Sequence, residues 1–325
     1  MGSNVKWAQM KDSPYSGPQV FGKCDYVLPA NPTGFDVIVA AIAKPEGGAY
    51  DTVVMYDGTA VTYGVLQWTF TSGRLHELLL ATARALGEAN YCALFGCDLF
   101  NLTELAVGSK SGCVQTDLND GTLYYQHKKV TDFFKLRDVC TPPGGSVPRT
   151  GKNWERAKAI ALLFSKFGEN AVAQKVQIDF FRGELKQAIK FKRPQMANRT
   201  IASFLYPDGW EGDEVEAAPA GSEELSKARC MMAARALFWG MWQNSPVKAQ
   251  TYLGQLVGHD LTTQKGLEAM AKKFAFTPFA RWGVVKARNA VDKNGKPKPY
   301  VSRYQKVATA INSAMGQKIV PELWK

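Results

Sequence analysis

Apolar residues recur at Phe35, Ile38, Val39 and Ile42, the i, i+3, i+4, i+7 spacing that lines one face of an amphipathic helix. Thr33-Gly-Phe-Asp36 opens this run as a capping box, in which the Thr and Asp side chains satisfy each other's backbone N–H groups. Pro45 lacks an N–H and disfavours helical geometry at Lys44, so the pattern predicts a helix that stops there. Glu46 then emerges just past a buried helix and is followed by Gly47-Gly48.

The segment from Tyr50 to Thr69 is dense in β-branched and aromatic residues and is interrupted at Asp57-Gly58. That dipeptide suits a tight turn with positive φ, and the segment predicts a β-hairpin. A second helix is expected after Ser72, with Leu75, Leu78, Leu79 and Leu86 on one face. From about residue 88 to 148 the pattern is mixed, with short strands expected between Gly112 and Cys140 around a turn at Asn119-Asp-Gly121, and a loop at Pro142-Pro-Gly-Gly145. Beyond Gly151 the chain reads almost wholly helical: Trp154–Phe167 closed by Gly168 as the residue past the helix end, then Ala171–Phe191, Ser222–Gln243 and shorter helices up to Met315. Trp239, Trp242, Met231, Met232 and Met241 read as the core of a buried helix. Asp208–Glu224 and Asp292–Pro299 interrupt the helical pattern as an acidic loop and a polar turn, and no internal repeat is present. The resulting fold class is α+β, mainly α. Residues 1–32, rich in Pro, Gly and Ser, read as an irregular arm, and 33–325 as one unit: a helix–hairpin region to 148, then a helical region with an acidic loop at 207–224.

Composition narrows the function. The net charge is +11, and the excess of Lys and Arg lies in residues 149–200 and 226–325, whereas 201–225 contain neither. A basic half of this kind attracts a polyanion such as nucleic acid, an anionic cell wall or a lipid surface. No run of about 18 apolar residues exists, which argues against a transmembrane helix. The first residues lack the apolar core of a secretory signal, so delivery by another route is expected. The 6 cysteines include no C-x-x-C pair and read mostly as buried reduced thiols. With 3 scattered histidines a zinc site has little to draw on, and no metal or other cofactor is expected. His76 reads as structural or exposed. Ser146–Asn153 approaches a phosphate-binding loop but has Ser for its first Gly and Asn for its final Ser/Thr, which favours a loop followed by a helix start. Phe191-Lys-Arg193 and Arg281–Lys298 read as solvated basic surface.

Candidate chemistry concentrates in the helix–hairpin unit. A carboxyl at the end of an apolar helix is partly desolvated and kept protonated, which suits Glu46 to act as a general acid on a glycosidic oxygen. Asp57, at a wetter turn, would stay ionised, and two carboxyls in contrasting surroundings form an acid/base pair. Thr62, five residues on, places a hydroxyl where it helps hold a water.

These residues resemble the catalytic signature of the lysozyme superfamily. Glu46 followed by Asp57-Gly-Thr-Ala-Val-Thr62-Tyr-Gly64 is similar to the helix-terminal Glu, hairpin Asp and Thr-x-Gly of phage-type lysozymes, and to the D-G-x-x-x-T-[Y/F]-G of inverting chitosanases. Gly64-Val-Leu-Gln67 resembles the G-[LI]-x-Q strand of goose-type and lytic-transglycosylase relatives. The likeness covers residues 33–80. Pro45 directly before the Glu departs from the family, and the Glu46–Asp57 spacing lies between those of the two groups, which makes Asp51 the fallback second carboxylate.

The resemblance implies a two-lobed lysozyme-like fold with a small β-hairpin at the cleft and a large helical portion. It implies Glu46 as acid and Asp57 as base on a water positioned by Thr62, with the carboxyls about 6.5–9.5 Å apart and inversion at the anomeric centre. Tyr50, Tyr63, Gln67 and Trp68 would line sugar subsites. The basic balance favours peptidoglycan over the polycation chitosan, and so a muramidase or endolysin-like hydrolase acting at the bacterial wall after release or delivery. A chitosanase-like hydrolase, a non-catalytic wall-binding or virion structural protein, and a nucleic-acid-binding protein are the alternatives.

Overall fold

A computed structural model describes residues 5–9, 14–95, 114–116, 123–125, 128–130, 146–192, 194–196, 198–207, 209, 223–277, 283–284 and 302–324, with the backbone alone at 46, 88, 92, 95, 114–116, 123–125, 128–130, 195, 224 and 225. The expected turns and loops at 119–121, 142–145, 210–222 and 292–299, and Cys97, Cys113 and Cys140, lie outside these residues. The protein is α+β and mainly helical. Its chain divides into two compact units, one of residues 1–26 and 47–181 and one of 27–46 and 182–325.

The first unit is built on a five-stranded antiparallel sheet in the order β1 (Val5–Gln9), β2 (Ser16–Val20), β3 (Val53–Val54), β4 (Thr62–Tyr63) and β5 (Trp68–Thr69). Residues 1–32 therefore contain two strands where an irregular arm was expected. Gln19 and Val20 of β2 pair with Val54 and Val53 of β3, so the N-terminal segment buttresses the predicted hairpin directly. The hairpin itself pairs Val53 with Tyr63 and Val54 with Thr62 across a seven-residue loop, 55–61, and not a tight two-residue turn at Asp57-Gly58.

Two helices, α2 (Arg74–Leu86) and α3 (Glu88–Phe95), follow. The expected apolar stripe of α2 is buried: Leu75, Leu78, Leu79 and Leu86 face inward with Thr82 and Ala83. A second antiparallel sheet joins β6 (Val114–Thr116), β7 (Leu123–Tyr125) and β8 (Lys128–Val130). Ser146–Gly151 then runs as a loop into the start of α4 (Lys152–Gly168), the reading that the sequence favoured over a phosphate loop.

Helix α4 packs across β1, β2 and β3. Gly168 belongs to this helix instead of lying past its end. Its role is close approach, because a Cβ there would sit 2.6 Å from the carbonyl carbon of Tyr50 and 2.5 Å from Cα of Asp51. Helix α5 (Ala171–Ala188) contributes its residues up to Phe181 to this unit and ends three residues short of the predicted Phe191.

The second unit is helical, with α1 (Gly34–Glu46) packed against α7 (Glu223–Trp242) and α10 (Arg303–Ala314). The capping box forms: Asp36 Oδ2 accepts from Thr33 N at 2.8 Å, and Thr33 Oγ1 accepts from Asp36 N at 3.3 Å. The predicted face of helix α1 is buried, and the burial is broader than expected: Val37, Ala41 and Ala43 join Phe35, Ile38, Val39 and Ile42, leaving Asp36, Ala40 and Lys44 as an outer stripe. Nor does it stop before Pro45, which lies inside its last turn. Burial of the helix overrides that local preference, and Gly47, with φ of 62°, takes the left-handed conformation just past its end. The remaining helices are α6 (Ala202–Leu205), α8 (Pro246–Gly254) and α9 (Gln264–Ala275). Trp239 and Met241 are wholly buried and Met231 and Met232 nearly so, while Trp242 is half-buried.

Candidate functional site

The loop between β3 and β4 folds around one carboxylate. Asp57 Oδ1 accepts from the Thr59 backbone N–H at 3.1 Å and from the Thr59 hydroxyl at 2.6 Å, while Oδ2 accepts from the Thr62 hydroxyl at 2.6 Å. The two threonine oxygens are themselves 2.6 Å apart. A carboxylate, two hydroxyls and three short contacts thus close a ring. Two hydroxyl protons serve those three contacts.

Backbone geometry makes the ring possible. Gly58 and Ala60 have φ of 87° and 65°, and Val61 N donates to Thr59 O across Ala60 at 2.9 Å, a three-residue turn. Positive φ is costly for alanine, yet Ala60 is buried and held. Strain of this kind, next to a polar cluster, gathers at functional sites. Asp57 and Thr59 are half-buried, and Thr62 is 4% exposed. Tyr56, also half-buried, has its phenol pushed up by burial first and by the Asp57 charge second.

The residues named from the sequence fall into different roles. Thr62 spends its hydroxyl on Asp57 where a water was its expected partner, so it orients the carboxylate. Asp51 is 2% exposed, and both its oxygens accept from the backbone: Lys23 N at 2.9 and 3.0 Å, Cys24 N at 2.9 Å. It fastens the chain after β2, and its oxygens are engaged by these backbone N–H groups. Tyr63 and Trp68 are each 1% exposed, packed on Phe164 and Phe180, and Tyr50 is buried against Tyr26. These three rings belong to the core of the first unit and present no face to a sugar. Gln67 is half-buried with φ of 57° and donates to Gly64 O at 2.8 Å, closing the β4–β5 turn. Glu46 ends α1 in the second unit, whereas Asp57 belongs to the first.

Two residues escaped the sequence reading. Thr59 follows Asp57 at i+2, the spacing of an Asx turn, and that spacing was the available signal. Gln177, on α5 and buried, donates to Tyr50 O and Tyr63 Oη at 3.0 Å each and accepts from Val65 N at 2.9 Å. Nothing in its local sequence marks it, because its partners lie more than 100 residues away. Burial, then the Asp51 charge, pushes the Tyr63 phenol far above its ordinary value, so it stays neutral and accepts from Gln177. His76 packs edge-on against Phe70 at 4.5 Å as a structural side chain. Cys24 and Cys230 are free thiols, half-buried and buried respectively.

Among the described residues no helix is long and apolar enough to cross a membrane. No protein-family model, curated protein or solved structure matches the chain.

Proposed function

We propose that the chain is a glycoside hydrolase of lysozyme-like fold that cleaves the β-1,4 bonds of peptidoglycan by an inverting acid/base mechanism. The observation that carries this reading is the Asp57–Thr59–Thr62 ring on a strained hairpin loop. In the proposed reaction Glu46 protonates the leaving glycosidic oxygen while Asp57 takes a proton from a water attacking the opposite face of the sugar. Thr62 and Thr59 act through the carboxylate by fixing its plane. The net charge of +11 favours a wall polymer bearing carboxylates over polycationic chitosan.

The experiment is turbidity loss of a murein suspension with wild type, Glu46→Gln and Asp57→Asn. The reading expects lysis by the wild type and loss in both variants; undiminished lysis by either would remove the assignment of that residue.

One observation favours a second reading, a wall-binding protein without catalysis: Tyr50, Tyr63 and Trp68, three of the residues expected to line sugar subsites, are all buried. On that reading the ring is an Asx turn that holds the loop. Murein pull-down that persists while wild-type protein releases no sugar would support it.

A further inference from the structure

A cavity of about 360 Å³ opens in the second unit, far along the chain from the hairpin. Helix α7 forms one wall through Glu223, Lys227, Arg229 and Cys230, the first turn of α9 another through Gln264, and Lys318 a third. That volume lies within the range of small-molecule sites. Three cations line it against one acid, Glu223, which pairs with Lys227 at 2.7 Å. Lys318 is 3.9 Å from Glu322. The guanidinium of Arg229 meets only an amide oxygen among the described residues, that of Gln317 at 3.3 Å. Asp260 stands nearby, its carboxyl held low by the hydroxyl and backbone N–H of Thr262.

The floor is a thiol, with the Asp260 carboxylate close by. Cys230 is 5% exposed, and burial first, then the Asp260 charge, pushes its thiol up, so it remains a neutral S–H. Gln264 starts α9, where the Thr263 hydroxyl caps Gly266 N at 3.1 Å and the positive end of the helix favours an anion.

We propose that this cavity binds a small oxyanion of the phosphate type, with Arg229 as its principal ligand and Lys318 and Lys227 supplying further charge. A guanidinium presents paired donors that match two oxygens of such a group. The proposal rests on residues of the second unit alone and stands or falls separately from the hydrolase reading.

The test is calorimetric titration of the full chain, at constant ionic strength, with inorganic phosphate and with a nucleoside monophosphate. Saturable binding is expected, weakened about tenfold in Arg229→Gln, less in Lys318→Gln, and further by added salt. Tighter binding of the monophosphate identifies a phosphate ester as the ligand, and equal binding identifies free phosphate. A parallel measurement follows alkylation of Cys230 by peptide mass, which bound phosphate should slow in the wild type. Absence of saturable binding by both probes, equal affinity in Arg229→Gln, or an unchanged alkylation rate would overturn the proposal.

Discussion

Thr62 donates its hydroxyl to Asp57 Oδ2 at 2.6 Å from a position that is 4% exposed. The bond joins the first residue of β4 to the loop that precedes it, so strand pairing and carboxylate orientation are coupled. Replacing Thr62 with Val keeps shape and removes the donor. The variant should lose about 2 kcal/mol of stability, typical of a hydrogen bond to a charged group. If Asp57 is the base, kcat on murein should fall at least about tenfold while Thr62→Ser stays near wild type. Denaturant melts together with murein turbidity rates separate the two effects.

Gln177 is the second keystone of the hairpin. Its side chain satisfies three groups, the Tyr50 carbonyl, the Tyr63 hydroxyl and the Val65 N–H. Gln177→Leu leaves all three buried without that partner, and the expected loss is about 3 kcal/mol. Urea unfolding measures it, and Gln177→Glu should recover little because it cannot donate from both amide hydrogens.

Gly168 predicts a steric effect of similar size. An added Cβ would lie 2.6 Å from the Tyr50 carbonyl carbon and 2.5 Å from Asp51 Cα, and both neighbours are backbone. Gly168→Ala should therefore destabilise by about 3 kcal/mol despite the better helix propensity of alanine. A higher Tm than wild type would show that α4 does not need this approach.

Alkaline pH tests the burial of Tyr63. Its folded value is raised above the ordinary 10.0, chiefly by burial. Below the ordinary value both states hold the proton, so the stability is fully present. Above it the unfolded chain ionises while the folded one does not, and stability falls as pH rises. Tyr304 adds to the same slope, again through burial. Stability against pH from 9 to about 11 should decline in the wild type and decline less steeply in Tyr63→Phe. Equal slopes would mean that Tyr63 is not buried as a neutral phenol.

Local signals were legible where local chemistry decides the outcome. Thr33 and Asp36 announce the α1 cap, and Leu75, Leu78, Leu79 and Leu86 announce the buried face of α2. Strand β2 was hidden because Ser16-Gly17-Pro18 reads as a loop, while its pairing with β1 and β3 depends on partners elsewhere in the chain. The end of α1 was misplaced for a related reason: Pro45 is disfavoured locally, but burial of Val37, Ile38, Val39, Ala41, Ile42 and Ala43 carries the helix past it. At the candidate site, spacing alone brought out Asp57 and Thr62. It could not show that Tyr50, Tyr63 and Trp68 point into the core, since aromatic residues in a short strand look alike on either face.

The most direct test of the proposed acid/base pair is mass spectrometry of murein digested by the wild type and by Glu46→Gln. The account predicts fragments with a reducing-end MurNAc from the wild type and none from the variant. Anhydro ends, or identical fragments from both proteins, would contradict it.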